Sequence, residues 1–382
     1  MKKIIKYLKS CTPPIIINIL KRLPIFSFKK FFQENKNNKN IDTQLLEITE
    51  NFINSDSYNM TSMYWRILNI GHFKQIILQG GIENYSTSVA RKYFTFLKAS
   101  EDTIAGTLKK VEFDTIEIKT QLFKKHKNLS YYESFFYNFL LILVYKNLEK
   151  TSSFNILEKL SDIAYLGFGD PYLNINNINI THDKINSCLD YDNIKKIPNF
   201  NDFTRILEIG AGSGRTAETI ITLDKKINYT ICDIPPAIYI SYNRLKKAFP
   251  DKKINLLLNI NDSTMLINEI KKNNINFIFP HQLKLIKEKF FELSLAIDCI
   301  HEMDKKTIKY YFDNINNSSD YFYFSIWKKT LVPFSFTLFL SKLGNRLDFY
   351  KNDYPIRKTW IPIFKNNSIF PANFINLCFK AN

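Results

Sequence analysis

The amino-acid sequence predicts an α/β fold with a mostly parallel sheet, preceded by a mainly helical region. In the C-terminal half, short apolar runs alternate with segments of helical periodicity, which is typical of βαβ units. From about Ile41 to Leu160 the apolar spacing is helical instead, and chain breakers are sparse. We therefore expect a basic segment with a polar linker over 1–40, a mainly helical domain over 41–200 and an α/β domain over 201–382.

The first part combines lysines with isoleucine and leucine, is broken at Pro13–Pro14 and ends in the polar stretch Gln33–Asn40. A short basic amphipathic piece of this kind can lie on an anionic inner membrane surface or pack as an ordinary helix on its own domain. The sequence contains no run of the roughly 18 apolar residues that a spanning helix needs. We expect a cytoplasmic protein, with peripheral membrane contact as an open alternative.

The helical part contains two long predicted helices, Tyr131–Lys150 and Ser153–Leu166, and a turn at the Gly80–Gly81 pair. The stretch Gly167–Ile180 is rich in turn-forming residues, so we predict an irregular connection there.

The C-terminal part alternates strands with helices. Seven strands are predicted, at Arg205–Ile209, Tyr229–Cys232, Ile254–Leu258, Ile275–Phe279, Leu293–Cys299, Tyr321–Ile326 and Phe374–Phe379. Helices are predicted at Thr216–Leu223, Pro236–Ala248, Thr264–Lys272 and Lys305–Ile315.

The formal net charge of +17 suggests an anionic partner, such as nucleic acid, a membrane surface or an acidic substrate. However, the 53 basic residues comprise 45 Lys and only eight Arg, and they are spread along the chain. RNA-binding surfaces use Arg heavily for bidentate and stacking contacts. We therefore interpret the charge as a lysine-rich solvated surface and do not favour a nucleic-acid partner.

The five cysteines lie far apart and form no C-x-x-C pair, which predicts reduced thiols rather than a disulfide framework or a zinc ribbon. His301 and Glu302 begin an H-E sequence, but the zinc motif H-E-x-x-H needs a histidine where Lys305 stands. No other cluster of histidines, cysteines and carboxylates has metal-ligand spacing, so no metal is expected.

The strongest motif is R-I-L-E-I-G-A-G-S-G-R, in which an apolar strand runs into a glycine-rich turn that opens a helix. The turn contains Gly210, Gly212 and Gly214. Glycines are needed there because the turn is tight and because a ligand approaches the backbone closely. Arg215 takes the place of the last glycine in G-x-G-x-x-G, which weakens the case for a nicotinamide or flavin dinucleotide.

A second element follows nineteen residues after Gly214, where the next strand ends at Asp233 in C-D-I-P-P. A carboxylate at this place can accept hydrogen bonds from both ribose hydroxyls of an adenosine-containing ligand. The alternative is that Asp233 only caps the helix that begins near Pro235–Pro236.

Together these elements resemble those of class I S-adenosylmethionine-dependent methyltransferases, and more narrowly those of bacterial sugar O-methyltransferases. The matching stretches are Gly169–Pro171, Ile206–Arg215, Tyr229–Ala237, Phe279–Leu283 and Ile300–Met303. The resemblance covers the C-terminal half well and the helical half loosely. It implies a Rossmann-like, mostly parallel seven-stranded sheet and S-adenosylmethionine as the methyl donor. The implied acceptor is a hydroxyl of a sugar, a nucleotide sugar or a cell-surface glycan precursor.

The resemblance also implies which residues bind S-adenosylmethionine. They are Glu208, Gly210, Gly212, Gly214 and Asp233, together with His281 or Gln282. The glycines let the loop close over the methionine part, Glu208 holds the loop or the amino group, and Asp233 binds the ribose. For the adenine edge a glutamine amide offers a donor and an acceptor; the alternative is that the His-Gln pair forms a surface loop.

On the acceptor side, I-H-E-M-D is similar to the H-D-W element of plant-type O-methyltransferases, in which the histidine is the base. His301 is therefore the predicted general base, with Glu302 in the place of the aspartate and Met303 in that of the tryptophan. A sugar hydroxyl is a poor nucleophile at neutral pH, so a base should assist the transfer. The alternative is that His301 caps the following helix.

Residues that could form an acceptor rim follow the late strands, and the helical domain is expected to cover this side. The candidates are Trp327, Lys328, Arg346, Arg357 and Trp360, a set that suits phosphorylated or nucleotide-linked sugars.

Two other functions stay open: an RNA methyltransferase, and a catalytically inactive methyltransferase-like scaffold in glycan assembly.

Overall fold

The computed structural model of the protein describes residues 28–37, 41–78, 81–84, 115–127, 129–160, 171–331, 346–368 and 374–381. Several predictions fall on other parts of the chain. The basic segment before Phe28, Gly80, the predicted helix end at Leu166 and Gly169 of the matching stretches lie outside the described residues.

Within the described residues, eight α-helices precede the large sheet. They are α1 (Phe28–Asn35), α2 (Thr43–Asn54), α3 (Asp56–Met60), α4 (Met63–Leu78), α5 (Ile116–Leu122), α6 (Tyr131–Leu148), α7 (Ser153–Lys159) and α8 (His182–Ile194).

Local sequence explains where several of these helices begin. The Asp42 carboxylate accepts hydrogen bonds from backbone N–H groups in the first turn of α2. Ser130 and Glu133 form a capping box at the start of α6, because each side chain accepts from the other's backbone N–H. Apolar packing then joins the helices: Phe73 of α4 meets Phe28 of α1 edge to face at 5.6 Å.

The stretch predicted to be irregular contains a hairpin, in which β1 (Leu173–Ile175) pairs antiparallel with β2 (Ile178–Ile180). Asn176 and Asn177 form the two-residue turn with φ of 52° and 63°. Asparagine tolerates this left-handed backbone conformation better than most residues. The prediction of an irregular connection was therefore wrong here, because the apolar alternation is only three residues long on each side.

The large sheet has eight strands instead of the seven predicted. They are β3 (Arg205–Ile209), β4 (Asn228–Cys232), β5 (Ile254–Leu256), β6 (Ile275–Ile278), β7 (Phe291–Ile297), β8 (Ser319–Trp327), β11 (Ile361–Asn367) and β12 (Phe374–Lys380), in the spatial order β11-β12-β8-β7-β3-β4-β6-β5. A separate antiparallel pair joins β9 (Lys329–Leu331) to β10 (Arg346–Asp348).

The strand that the sequence did not reveal is β11, which lies at one edge of the sheet and pairs antiparallel with β12. Its residues I-P-I-F-K-N-N are exposed or half-buried, so they lack the apolar run that marks a central strand. Pro362 fits an edge position because proline cannot donate to a ladder of hydrogen bonds. The strand β12 in turn pairs antiparallel with β8, and the other pairs of the sheet are parallel.

Four helices connect the parallel strands: α9 (Arg215–Leu223), α10 (Ala237–Ala248), α11 (Ser263–Lys272) and α12 (Lys305–Ser318). The first strand of the sheet, β3, lies between β4 and β7, so the order of the strands reverses beside it. In open α/β sheets, ligands bind outside the carboxyl ends of the strands at such a reversal. The topology confirms the predicted Rossmann-like class and indicates where the site lies.

Two candidates for the acceptor rim belong to the core or its border instead. The Trp360 side chain is buried, stacks on Phe312 of α12 at 5.6 Å and donates its indole N–H to Asn316. Arg357 pairs with Asp313 of the same helix at 2.8 Å. Both side chains fasten the segment before β11 to α12, so we remove them from the rim; the side chain of Arg346 lies outside the described part.

Candidate active site

The three glycines of the turn after β3 all have a left-handed backbone, with φ of 68°, 58° and 79° at Gly210, Gly212 and Gly214. A Cβ added to Gly210 would lie 2.7 Å from the Cβ of Cys299, and one added to Gly214 would lie 3.0 Å from that of Ser241. A Cβ on Gly212 would meet no atom within 4 Å. Two glycines therefore permit close packing, whereas Gly212 faces open space that a ligand can enter.

Asp233 follows β4 and lies directly against this turn. One carboxylate oxygen accepts from the backbone N–H of Gly212 at 2.9 Å, and the other accepts from that of Ile234 at 2.7 Å. Burial raises the pKa of Asp233 to about 7, although both hydrogen bonds act in the opposite direction. The carboxylate is thus fixed beside the one glycine of the turn that has free space next to it.

Glu208 lies at the end of β3, behind the turn. Its carboxylate accepts a hydrogen bond from the hydroxyl of Tyr229 on β4 at 2.8 Å, and the side chain is almost fully buried. Burial raises the pKa of Glu208 to about 7, while the hydrogen bond from Tyr229 lowers it. This placement fits the predicted support of the loop.

The F-P-H-Q-L segment after β6 forms a short 3-10 helix, Pro280–Leu285, in which the two predicted adenine contacts have different surroundings. The Gln282 amide donates to the carbonyls of Leu257 and Ile260, both at 2.7 Å, and accepts from the N–H of Phe279 at 2.8 Å. Both of its N–H groups are therefore used to hold the loop after β5. We withdraw Gln282 as an adenine donor and assign it a supporting place.

His281 faces the helical region. Its Nδ1 lies 2.8 Å from the hydroxyl oxygen of Ser57 on α3, and its backbone N–H donates to the same oxygen at 2.9 Å. Burial lowers the pKa of His281, so the imidazole is neutral at pH 7. Its role as an adenine contact stays a prediction.

A second contact from the helical region reaches the D-I-P-P element. The Asn69 amide on α4 donates to the carbonyl of Pro235 at 2.7 Å, and Asn69 is buried. The helices α3 and α4 therefore touch two of the strand-end segments that the resemblance assigns to cofactor binding. Sequence analysis missed Ser57 and Asn69, because nothing local distinguishes them from other polar residues on a helix.

Two aspartates of α8, Asp183 and Asp190, contact the glycine turn and the arginines of the helices that follow it. Arg215, the residue in the place of the last motif glycine, donates to the Asp190 carboxylate at 2.9 Å. Arg244 of α10 donates to Asp183 at 2.8 Å and to Glu218 at 2.6 Å. These ion pairs join α8, α9 and α10 around the turn. In the sequence, the arginine at position 215, where the motif has a glycine, is the one feature that could have indicated such pairing.

The predicted base His301 follows β7 in a short 3-10 turn, Ile300–Glu302. Only 1% of its side-chain surface is exposed, and its ring packs against those of Trp327 at 6.0 Å and Phe374 at 5.7 Å. Burial lowers the pKa of His301 to about 3. Glu302 is also buried. The structure thus places His301 at the predicted strand end, but its ring is almost fully buried against Trp327 and Phe374.

Asp298, which sequence analysis did not select, lies next to His301. It directly follows β7 and has a left-handed backbone, φ 57°, and its Oδ1 is 3.4 Å from Nε2 of His301. Its side chain is 34% exposed, and burial of the remainder raises its pKa to about 7. The next residue, Cys299, packs on Gly210, so Asp298 borders the glycine turn.

In the part of the chain that the structure describes, no group of three or more histidines, cysteines and carboxylates could hold a metal ion. Across the same residues, none of the helices combines the length and the apolar character needed to cross a bilayer.

The sequence matches no protein-family profile and no curated protein. Among solved structures, the chain is similar to PhzM, a pyocyanin biosynthetic protein, at 12% identity and a TM-score of 0.34, over 53% of this chain and 56% of PhzM. It is also similar to an S-adenosylmethionine-dependent methyltransferase from Clostridium acetobutylicum, at 11% identity and a TM-score of 0.31, over 51% and 90% of the two chains.

A third similar structure is NcsB1, an O-methyltransferase from neocarzinostatin biosynthesis solved with S-adenosyl-L-homocysteine and 1,4-dihydroxy-2-naphthoic acid. The identity is 10% and the TM-score 0.32, over 53% of this chain and 57% of NcsB1.

Proposed function

We propose that the protein is an S-adenosylmethionine-dependent O-methyltransferase that acts on a hydroxyl of a sugar, a nucleotide sugar or a cell-surface glycan precursor. One observation carries the proposal. The turn after β3 has open space at Gly212, and the Asp233 carboxylate lies beside that space, hydrogen-bonded to the Gly212 N–H.

The residues of this turn fit the methyl donor. The methionine part would lie along the Gly212 backbone, and Asp233 is at the strand end where a carboxylate accepts from ribose hydroxyls. Glu208, Asp233 and Asp298 surround the turn with carboxyls whose pKa values burial raises to about 7. Such groups favour a cationic ligand, because a nearby positive charge stabilises their ionised forms.

Once bound, S-adenosylmethionine supplies a methyl group on a positively charged sulfur. The protein then has to orient the acceptor, exclude water and accept a proton at the carboxyl end of β7. Asp298 and His301 are at that end, and Trp327 lies beside them at the end of β8. An aromatic face next to the proton-accepting group suits a sugar ring, which supports the choice of acceptor.

Calorimetric titration with S-adenosylmethionine and S-adenosylhomocysteine tests the cofactor part. We expect micromolar binding of both by the full chain and weaker binding by Asp233→Ala. Asp251→Asn, a substitution of an exposed aspartate, serves as a matched control and should bind like the original protein. An absence of binding by the original protein would remove the methyltransferase assignment.

The acceptor part is tested separately with methyl-labelled S-adenosylmethionine and a panel of nucleotide sugars, phosphorylated sugars and extracted surface glycans. Label in one sugar class that is stable to mild base supports an O-methyl ether. Transfer to RNA in preference to all sugars would overturn the sugar assignment while leaving methyl transfer intact.

A further inference from the structure

Asp298 occupies an unusual place in the chain. It is not a glycine, yet its φ is 57°, and its backbone N–H donates to the carbonyl of Ser325 on the neighbouring strand at 3.0 Å. Left-handed non-glycine residues are uncommon and concentrate at functional sites, where the surrounding structure holds the strained conformation.

His301 and Asp298 differ in what an acceptor could reach. The His301 side chain is 1% exposed and packs against the rings of Trp327 and Phe374, whereas 34% of the Asp298 side chain is open to solvent. The Nε2 of His301 lies 3.4 Å from Oδ1 of Asp298, and Nδ1 has no hydrogen-bond partner among the described residues. At 3.4 Å this approach is longer than an ordinary N–H···O hydrogen bond, so the neutral imidazole contacts the carboxylate by packing beside it.

We propose that Asp298 accepts the proton of the acceptor hydroxyl and that His301 is a positioning residue that holds the carboxylate at the end of β7. The proposal rests on the proposed methyl transfer and replaces His301 as the predicted base. It assigns the proton to the group that is both open to solvent and adjacent to the glycine turn, through the contact of Cys299 with Gly210.

The groups around Asp298 are compatible with this role. The charged or titratable ones are Arg215 on α9, Asp190 on α8, His301 and the neighbouring thiol of Cys299. The indole of Trp327 also donates to the carboxylate. Burial and Asp190 raise the pKa of Asp298, whereas Arg215 and Trp327 lower it, and the result is about 7. A general base is most effective when its pKa is near the working pH.

The step balances without any further reactant. The hydroxyl oxygen of the acceptor forms a bond to the methyl carbon as the carbon–sulfur bond breaks, and the electron pair of that bond stays on sulfur. The hydroxyl proton passes to the Asp298 carboxylate, which becomes a neutral carboxylic acid. Exchange with water at the exposed edge of the side chain then releases the proton.

The first test compares Asp298→Asn, His301→Gln and the control Asp251→Asn in calorimetry and in transfer to whichever sugar class the panel identifies. Asparagine tolerates the left-handed backbone, so Asp298→Asn should fold. We expect it to lower kcat by about 100-fold or more and to leave the Kd for S-adenosylhomocysteine within roughly threefold. His301→Gln replaces the ring with a smaller polar side chain beside the carboxylate and should lower kcat by about tenfold, with a shift in the pH profile.

The second test needs no acceptor. Carbon-13 labelling of aspartate carboxyls followed by NMR titration should show two resonances with midpoints near pH 7, one from Asp233 and one from Asp298. The second of them should be missing in Asp298→Asn and displaced in His301→Gln. A midpoint below pH 5 for the resonance that Asp298→Asn removes would overturn the proposal, as would transfer by Asp298→Asn at the original rate. Both results would leave the methyltransferase assignment standing, since that depends on cofactor binding by the original protein.

Discussion

The two halves of the site differ in how their polar groups are held. At the ends of β3, β4 and β6, the functional atoms have fixed partners. Asp233 accepts from two backbone N–H groups, whereas Gln282 donates to two backbone carbonyls and accepts from one backbone N–H. At the end of β7, Asp298 is a third exposed, and Nδ1 of His301 is unpartnered among the described residues.

This difference follows from what each half would have to do. A site for one invariable ligand binds more tightly when its polar groups are already held in place, because the conformational entropy of those groups is lost on folding and not on binding. A group that takes a proton must instead keep an open face towards the acceptor. The half proposed to bind the cofactor accordingly has its polar atoms paired, whereas the half proposed to bind the acceptor keeps one carboxylate partly open to solvent.

The largest effect that would sharpen this comparison is expected at the glycine turn. Gly210→Ala forces a left-handed alanine and a 2.7 Å contact with Cys299, so we expect a loss of about 3 kcal/mol in the free energy of unfolding. Gly212→Ala has the same backbone strain but no contact, so its loss should be about 1 kcal/mol. Urea unfolding of the two variants measures both values. Equal losses would show that Gly210 and Cys299 are not packed as described.

The next effect concerns charge removal at Asp233. Asp233→Asn should weaken S-adenosylmethionine binding by roughly tenfold or more, since a hydrogen bond to a charged group contributes about 1.5–3 kcal/mol. Its effect on stability should depend on pH. Because the folded pKa of about 7 lies above the unfolded value, the carboxyl opposes folding as the pH rises from about 4 to 7.

Thermal unfolding at pH 5 and pH 8 therefore checks the sign. Asp233→Asn should be closer to, or above, the original protein in Tm at pH 8 than at pH 5. The reverse order would mean that the native carboxylate is stabilised in its ionised form by the N–H groups of Gly212 and Ile234.

A third prediction distinguishes the sulfonium donor from its product. The affinity for S-adenosylmethionine should rise by about tenfold between pH 6 and pH 8, because a cation favours the ionised forms of carboxyls with pKa values near 7. S-adenosylhomocysteine lacks the sulfonium charge, so its affinity should change less. Calorimetry of both ligands across this range measures the difference, and parallel curves would contradict a carboxylate-rich site near the sulfur.

The smallest effect is expected where the helical region touches the D-I-P-P element, which we propose to bind the cofactor. Asn69→Ala leaves the buried carbonyl of Pro235 without its donor and should cost about 1–2 kcal/mol of stability. It should also lower the affinity for S-adenosylmethionine by a few-fold, since the D-I-P-P element loses one support. Lys74→Ala, on the same helix, provides a control with an exposed side chain. Equal behaviour of the two variants would remove Asn69 as a support of the site.

The sequence alone determined the α/β class, seven of the eight strands of the large sheet and the glycine turn. These features depend on local patterns: apolar runs, helical periodicity and glycines where φ must be positive. Sequence analysis did not predict the edge strand β11, because its residues are exposed or half-buried and form no apolar run. It did not predict the hairpin β1–β2, because each strand is only three residues long.

Only the tertiary structure decided how the site's polar groups are used. Both amide N–H groups of Gln282 are used to hold a loop, and His301 is buried next to Asp298. Ser57 and Asn69 of the helical region contact the segments at the strand ends. The physical reason is that burial and hydrogen-bond partners depend on residues far apart in the chain. The H-E-M sequence follows β7, but which side chain there faces solvent depends on the packing of Trp327 and Phe374 around the imidazole.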